Sequence, residues 1–237
     1  MKTSTNTKKN LATEKYQCEF CNREFVREST LYKHLCENKR RWQQKDLPGN
    51  RIGFQCWLRF YVKNTPTKKQ KSYLDFIKSP YYLVFTKFGT YCANINAINI
   101  MRYADWLMKN QIKVDKWAND QHYERYLIEY LREEDPLDAI SRSIETTINH
   151  AKKEEIQSCD FLRYGNRNKI CHLIVGGRIS PWMLYQSKSG VAFLETLDET
   201  QQRMIFDYIN PEQWALKFMR NKDDVTQVTN LLSQAGY

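Results

Sequence analysis

Two cysteines set two residues apart, in Cys18-Glu19-Phe20-Cys21, mark the stretch of this chain with the clearest capacity for chemistry. A gap of two residues lets both thiolates of a hairpin turn reach one ion. Twelve residues separate Cys21 from His34, and Cys36 follows closely. Phe25 and Leu31 lie between, so the pattern is C-x2-C-x3-F-x5-L-x2-H. The chain has seven cysteines, and its first ten residues are polar, without the apolar stretch of a secretory signal. A reducing cytoplasm is therefore the expected location, and there clustered cysteines point to metal rather than to disulfides. The bland alternative is a pair of free thiols in an unrelated hairpin.

The pattern resembles the C2H2-type zinc finger at every position up to the first histidine, over about 20 residues. The resemblance implies a small ββα module over residues 16–37 that holds one structural Zn2+. Phe25 and Leu31, with Tyr16, would form its core. A module this short cannot bury enough apolar surface to fold alone. Zinc binding supplies the missing free energy, on the order of 10 kcal/mol. After His34 the chain departs from the family, which expects a second His or Cys three to five residues on. Positions 38, 39 and 40 are Asn, Lys and Arg, and Cys36 is the nearest candidate. On a continuing helix residues i and i+2 point about 200° apart, so the helix must end or tighten near His34 for Cys36 to serve. The expected set is a C2HC variant, Cys18, Cys21, His34 and Cys36, with Glu37 or Cys56 in reserve. Four protein ligands leave no open position for water, so such a site is structural rather than catalytic.

If the finger reads DNA as its family does, its helix begins at Glu28, and the reading positions fall on Arg27, Ser29, Thr30 and Lys33. Arg and Lys donate to guanine, and Thr is permissive. Arg23, Lys39, Arg40 and Arg41 would hold phosphates, with Lys45, Lys68, Lys69 and Lys71 extending the cationic set. One finger reads only about three base pairs, so the flanking cations must add affinity. Trp42, among Lys39, Arg40, Arg41 and Lys45, has two readings: a base-stacking ring or a packing anchor between finger and body.

The charge distribution agrees with this division. The 237 residues carry 37 Lys+Arg against 27 Asp+Glu, a formal net charge of +10. Residues 1–71 alone hold a net +11, leaving the remainder close to neutral. A merely solubilising surface would not separate in this way. The expected organisation is a disordered basic tail (1–15), the finger (16–37), a basic connecting segment (38–71) and an α-helical domain (72–237). Within the connecting segment Leu47-Pro48-Gly49-Asn50 reads as a turn or a boundary, and residues 54–63 as a short amphipathic helix. The fold class is therefore mainly α. Four Ser/Asp/Asn-Pro pairs (79–80, 135–136, 180–181, 210–211) suit helix starts. Tyr123, Tyr126, Leu127, Tyr130 and Leu131 form one helical stripe, and Leu137, Ile140, Ile144, Ile148 and Ala151 another. His122, His150 and His172 are scattered, the run Glu133-Glu134-Asp135 reads as helix end and cap, and no catalytic constellation stands out. No stretch approaches the roughly 18 apolar residues of a membrane span, so no membrane partner is expected.

The whole chain also resembles zinc-finger accessory proteins of large tailed bacteriophages, in Cys36-Glu37-Asn38-Lys39-Arg40-Arg41 and Ile179-Ser180-Pro181-Trp182. That resemblance implies a viral protein of the host cytoplasm. The leading expectation is a non-enzymatic nucleic-acid-binding protein, with DNA favoured over RNA and a protein partner on the helical body. One rival is a protein-interaction or structural component that uses the finger as an adaptor. The other is a nucleic-acid-processing enzyme with a catalytic helical domain.

Overall fold

The structure, a computed structural model, describes residues 15–65 and 70–237. The segment expected to be a disordered tail lies almost wholly outside the described residues. The described residues are mainly α-helical, with one two-stranded sheet near the amino end. The chain divides into two compact units, Met1–Ala118 and Asn119–Tyr237.

The first unit opens with an antiparallel hairpin, β1 (Tyr16–Gln17) and β2 (Glu24–Phe25), in which Tyr16 pairs with Phe25. The short helices α1 (Glu28–Lys33) and α2 (Glu37–Gln43) follow. Helices α3 (Pro48–Asn64), α4 (Tyr73–Lys78), α5 (Tyr82–Asn94) and α6 (Ile100–Lys109) and a 3-10 turn at Val114–Lys116 make up the rest of the unit's described residues in regular structure. Its core is aromatic: Trp57, Phe76, Phe85, Phe88, Tyr103 and Trp117 are all buried. Their polar edges are satisfied, with Trp117 Nε1 donating to Ile112 O at 3.0 Å and the Tyr103 hydroxyl to Trp117 O at 3.2 Å.

Helices α3 and α5 lie backbone against backbone. A Cβ placed on Gly89 would stand 2.0 Å from Gly49 O and 2.5 Å from Gly53 N. One on Gly53 would stand 2.4 Å from Phe85 O. Leu47–Asn50 is the boundary rather than a turn: Leu47 is the N-cap of α3, Pro48 occupies its first turn, where the missing N–H has no helical partner, and a side chain at Gly49 would meet Thr90 of the neighbouring helix. Helix α3, within the expected connecting segment, is the partner of α5, and the first unit runs to Ala118.

The second unit contains α7 (Asp120–Glu133), α8 (Pro136–Glu154), α9 (Phe161–Tyr164), α10 (Arg167–Val175), α11 (Pro181–Gln186), α12 (Lys188–Glu195), α13 (Glu199–Ile209), α14 (Pro211–Arg220) and α15 (Lys222–Gln234). Asp135, Ser180 and Asn210 cap the helices that begin at the following prolines. The fourth pair behaves otherwise: Ser79 ends α4, and its Oγ accepts from Tyr81 N. The tyrosine stripe of α7 is buried as expected. The stripe of α8 is rotated. Leu137 and Ile148 are exposed, and Ala139, Ser143 and Thr147 face inward. Small side chains there permit close packing, and Ser143 Oγ, accepting from Ser180 N at 2.9 Å, ties α8 to the start of α11. Glu134 is buried against Arg142, which grips both its oxygens at 2.6 and 2.8 Å.

Gly89→Ala should lower stability by more than about 2 kcal/mol, although helix propensity alone favours alanine by about 1 kcal/mol. Gly176→Ala, whose Cβ meets nothing nearer than 3.3 Å, should cost much less. Denaturant midpoints of the two variants check the contrast.

Candidate metal centre

The hairpin turn brings the first two donors into position. Cys18 N–H donates to Arg23 O at 2.9 Å, and Asn22 N–H to Cys18 O at 2.7 Å. Asn22 takes a left-handed backbone conformation, φ 59°, which asparagine tolerates better than most residues. Helix α1 stops at Lys33. His34 is extended (φ −69°, ψ 123°), and so is Cys36 (φ −84°, ψ 165°), which is the N-cap of α2. The break is the one that Cys36 required as a ligand. In extended backbone residues i and i+2 point to the same side, so His34 and Cys36 aim together.

The four donor atoms of Cys18, Cys21, His34 and Cys36 all lie within 4.8 Å of one another. Cys18 Sγ stands 4.0 Å from Cys36 Sγ, and Cys21 Sγ 3.3 Å from His34 Nε2. A tetrahedral ion with bonds of about 2.3 Å to sulfur and 2.0 Å to nitrogen has donor–donor edges of about 3.5–3.8 Å. The observed spacing fits, and a thiolate–imidazole set suits a borderline-soft cation. The Phe25 ring lies 4.8 Å from the imidazole, centre to centre, and limits its rotation. Burial opposes ionisation of Cys18. The amides of Cys21 and Phe20 and the thiols of Cys21 and Cys36 outweigh it, leaving the Cys18 pKa below its ordinary value. The reserve ligands are otherwise engaged: Glu37 pairs with Arg40 and Arg41, and Cys56 is buried in α3, where desolvation pushes its thiol up to about 12.

Little apolar packing supports this geometry. No residue of α1 is buried, and Tyr16, Phe25 and Leu31 are only half-buried. Two contacts that the sequence reading did not find hold the finger to the rest of its unit. Phe20, between the first two ligands, is buried with its ring 6.0 Å from Trp42. Asn38 Nδ2 donates to Phe20 O at 3.0 Å. Trp42 continues the chain of rings to Tyr73 at 5.8 Å, which supports its role as a packing anchor. The position of Phe20 between two ligands offered a signal, whereas nothing in the local pattern singled out Asn38.

The candidate nucleic-acid contacts fall into groups. Arg27, Ser29, Thr30 and Lys33 are exposed on or beside α1. Arg23 lies over the Phe25 ring at 5.5 Å, and Lys45 over Trp42 at 4.8 Å. Lys39 Nζ donates to His34 O at 3.1 Å. Arg40 is exposed and paired with Glu37. Lys71 sits 4.9 Å from the Tyr61 ring, and Lys68 and Lys69 lie outside the described residues. Arg41, expected to hold phosphate, is engaged within the fold. Its Nη1 donates to Ile77 O at 2.7 Å, its guanidinium covers the Tyr82 ring at 4.4 Å, and its side chain is 18% exposed. It ties α2 to α4 and α5.

The chain matches no protein-family model, no curated protein and no solved structure.

Arg41→Ala should destabilise the first unit by about 1–3 kcal/mol, the range for a charge-assisted hydrogen bond together with lost ring contact, read from thermal or denaturant unfolding. Arg40→Ala, on the exposed side, should leave stability within about 0.5 kcal/mol.

Proposed function

We propose that the chain is a zinc-stabilised, non-enzymatic nucleic-acid-binding protein, with DNA the favoured ligand and an accessory or regulatory role. The observation that carries this reading is the convergence of three sulfurs and one imidazole, a donor set that closes around Zn2+ without leaving a position for substrate. A metal so enclosed acts by fixing shape. Here it fixes a helix whose outer side offers Arg27 and Lys33 to solvent, in a chain whose excess positive charge lies in its first 71 residues. Arg27 and Lys33 can donate to base edges, and Arg23, Lys39 and Arg40 can supply phosphate contacts.

A second reading, in which the finger is an adaptor for another protein, draws on the exposed apolar side chains Val26 and Leu35. It predicts a stable complex that survives nuclease treatment.

Purified protein should contain about one equivalent of zinc, measured by elemental analysis, and Cys36→Ala should lose most of it. Less than about half an equivalent, without exposure to chelator, would count against the site.

Binding to DNA should weaken steeply with salt, with a log–log slope of several units, and a flat response would remove the electrostatic basis of the proposal. Arg27→Ala should change sequence preference, by about 1–3 kcal/mol at the position it reads, whereas Arg40→Ala should weaken all sequences alike.

A further inference from the structure

Tyr32 on α1 is 85% exposed, the most exposed large hydrophobic side chain of the described residues. Among the described residues it has no ring-stacking or hydroxyl hydrogen-bond partner. An isolated exposed tyrosine is unremarkable on most surfaces. This one borders an open groove of about 680 Å³ between the Cys18–Phe20 turn and α1. Ser29, Leu31 and Lys33 line the same groove from the helix, with Lys39 at its edge. Among the described residues Lys33 has no ion-pair partner, and Lys39 keeps two N–H donors beyond the one on His34 O. The groove therefore combines a free aromatic face, a hydroxyl and two ammonium groups.

We propose that this groove seats an unpaired base of a single-stranded nucleic acid, with the Tyr32 ring stacked on the base. The inference rests on the nucleic-acid reading above and narrows it. The phosphates flanking the base would lie against Lys33 and Lys39, where the sign of the charge is complementary. Glu19 and Glu28 also line the groove and repel phosphate, so the strand's backbone would pass on the side of the two lysines. A base paired within a duplex has both faces covered by its neighbours, so a protruding tyrosine gains little from it. An unpaired base exposes a face, and stacking on an aromatic side chain is worth about 1–3 kcal/mol per base.

The test uses the full-length zinc-loaded protein and fluorescence anisotropy at one fixed salt concentration. The probes are an oligothymidine strand of about twenty nucleotides, a strand of the same length with abasic residues throughout, and a duplex of that length. Oligothymidine should bind more tightly than both the abasic strand and the duplex. Tyr32→Ala should weaken oligothymidine binding by about 5- to 150-fold, with zinc content unchanged, and Tyr32→Phe should retain it. Equal affinity for the abasic and thymidine strands would overturn the proposal, and that comparison needs no variant. Duplex binding that persists with no preference for single strands would overturn the stacking site while leaving the nucleic-acid reading intact. Failure of every probe to bind at low salt would overturn both.

Discussion

The amino-terminal module depends on four donor atoms being held at one point. Its apolar contacts are too few to do this: α1 buries no residue, and the hairpin contributes only two paired positions on each strand. A segment of that size loses far more conformational entropy on ordering than half-buried Phe25 and Leu31 return. A metal ion held by the four donors would supply an interaction large enough to close the difference. It would give α1, and with it the exposed cations, a fixed place beside the hairpin.

The finger is also joined to the rest of its unit. Phe20 reaches Trp42, Trp42 reaches Tyr73, and Tyr73 reaches Phe54 and Phe76 in the aromatic core. Arg41 fastens the same helix to Ile77 O and the Tyr82 ring. A cation that looks free in a basic run is thus part of the fold. The lesson applies to charge clusters in general, since the guanidinium hydrogen-bonds to carbonyls and packs on rings as readily as it meets phosphate.

What could be read from the sequence divides along physical lines. The Cys/His spacing was legible because coordination imposes fixed distances on a short segment. The break at His34 could be deduced because two ligands at i and i+2 exclude helix. Proline caps were legible at Asp135, Ser180 and Asn210 because capping is local. Three features were not fully legible. Gly49 suggested only a turn or boundary, since sequence cannot show that the backbone of another helix, at Thr90, occupies the place of its side chain. The inner face of α8 was legible only in part: Ile140 and Ala151 are buried as expected, but Ser143, bonded to the start of α11, and Thr147 face inward while Ile148 is exposed. The contact of Asn38 with Phe20 O spans 18 residues and has no local signature.

Cys36 occupies two places at once: it is the last of the four donors and the residue that begins α2, with its sulfur accepting from Lys39 N. In a finger that ends in a histidine on its own helix, the metal-binding piece can be cut out and joined to foreign sequence. Here the excision boundary cannot fall directly behind the last ligand, because α2 orients that sulfur and Asn38 and Trp42 brace the turn that carries the first two. The smallest transplantable cassette extends through Gln43, and even that leaves Trp42 without Tyr73. This finger is an extension of its host unit rather than an interchangeable bead on a string.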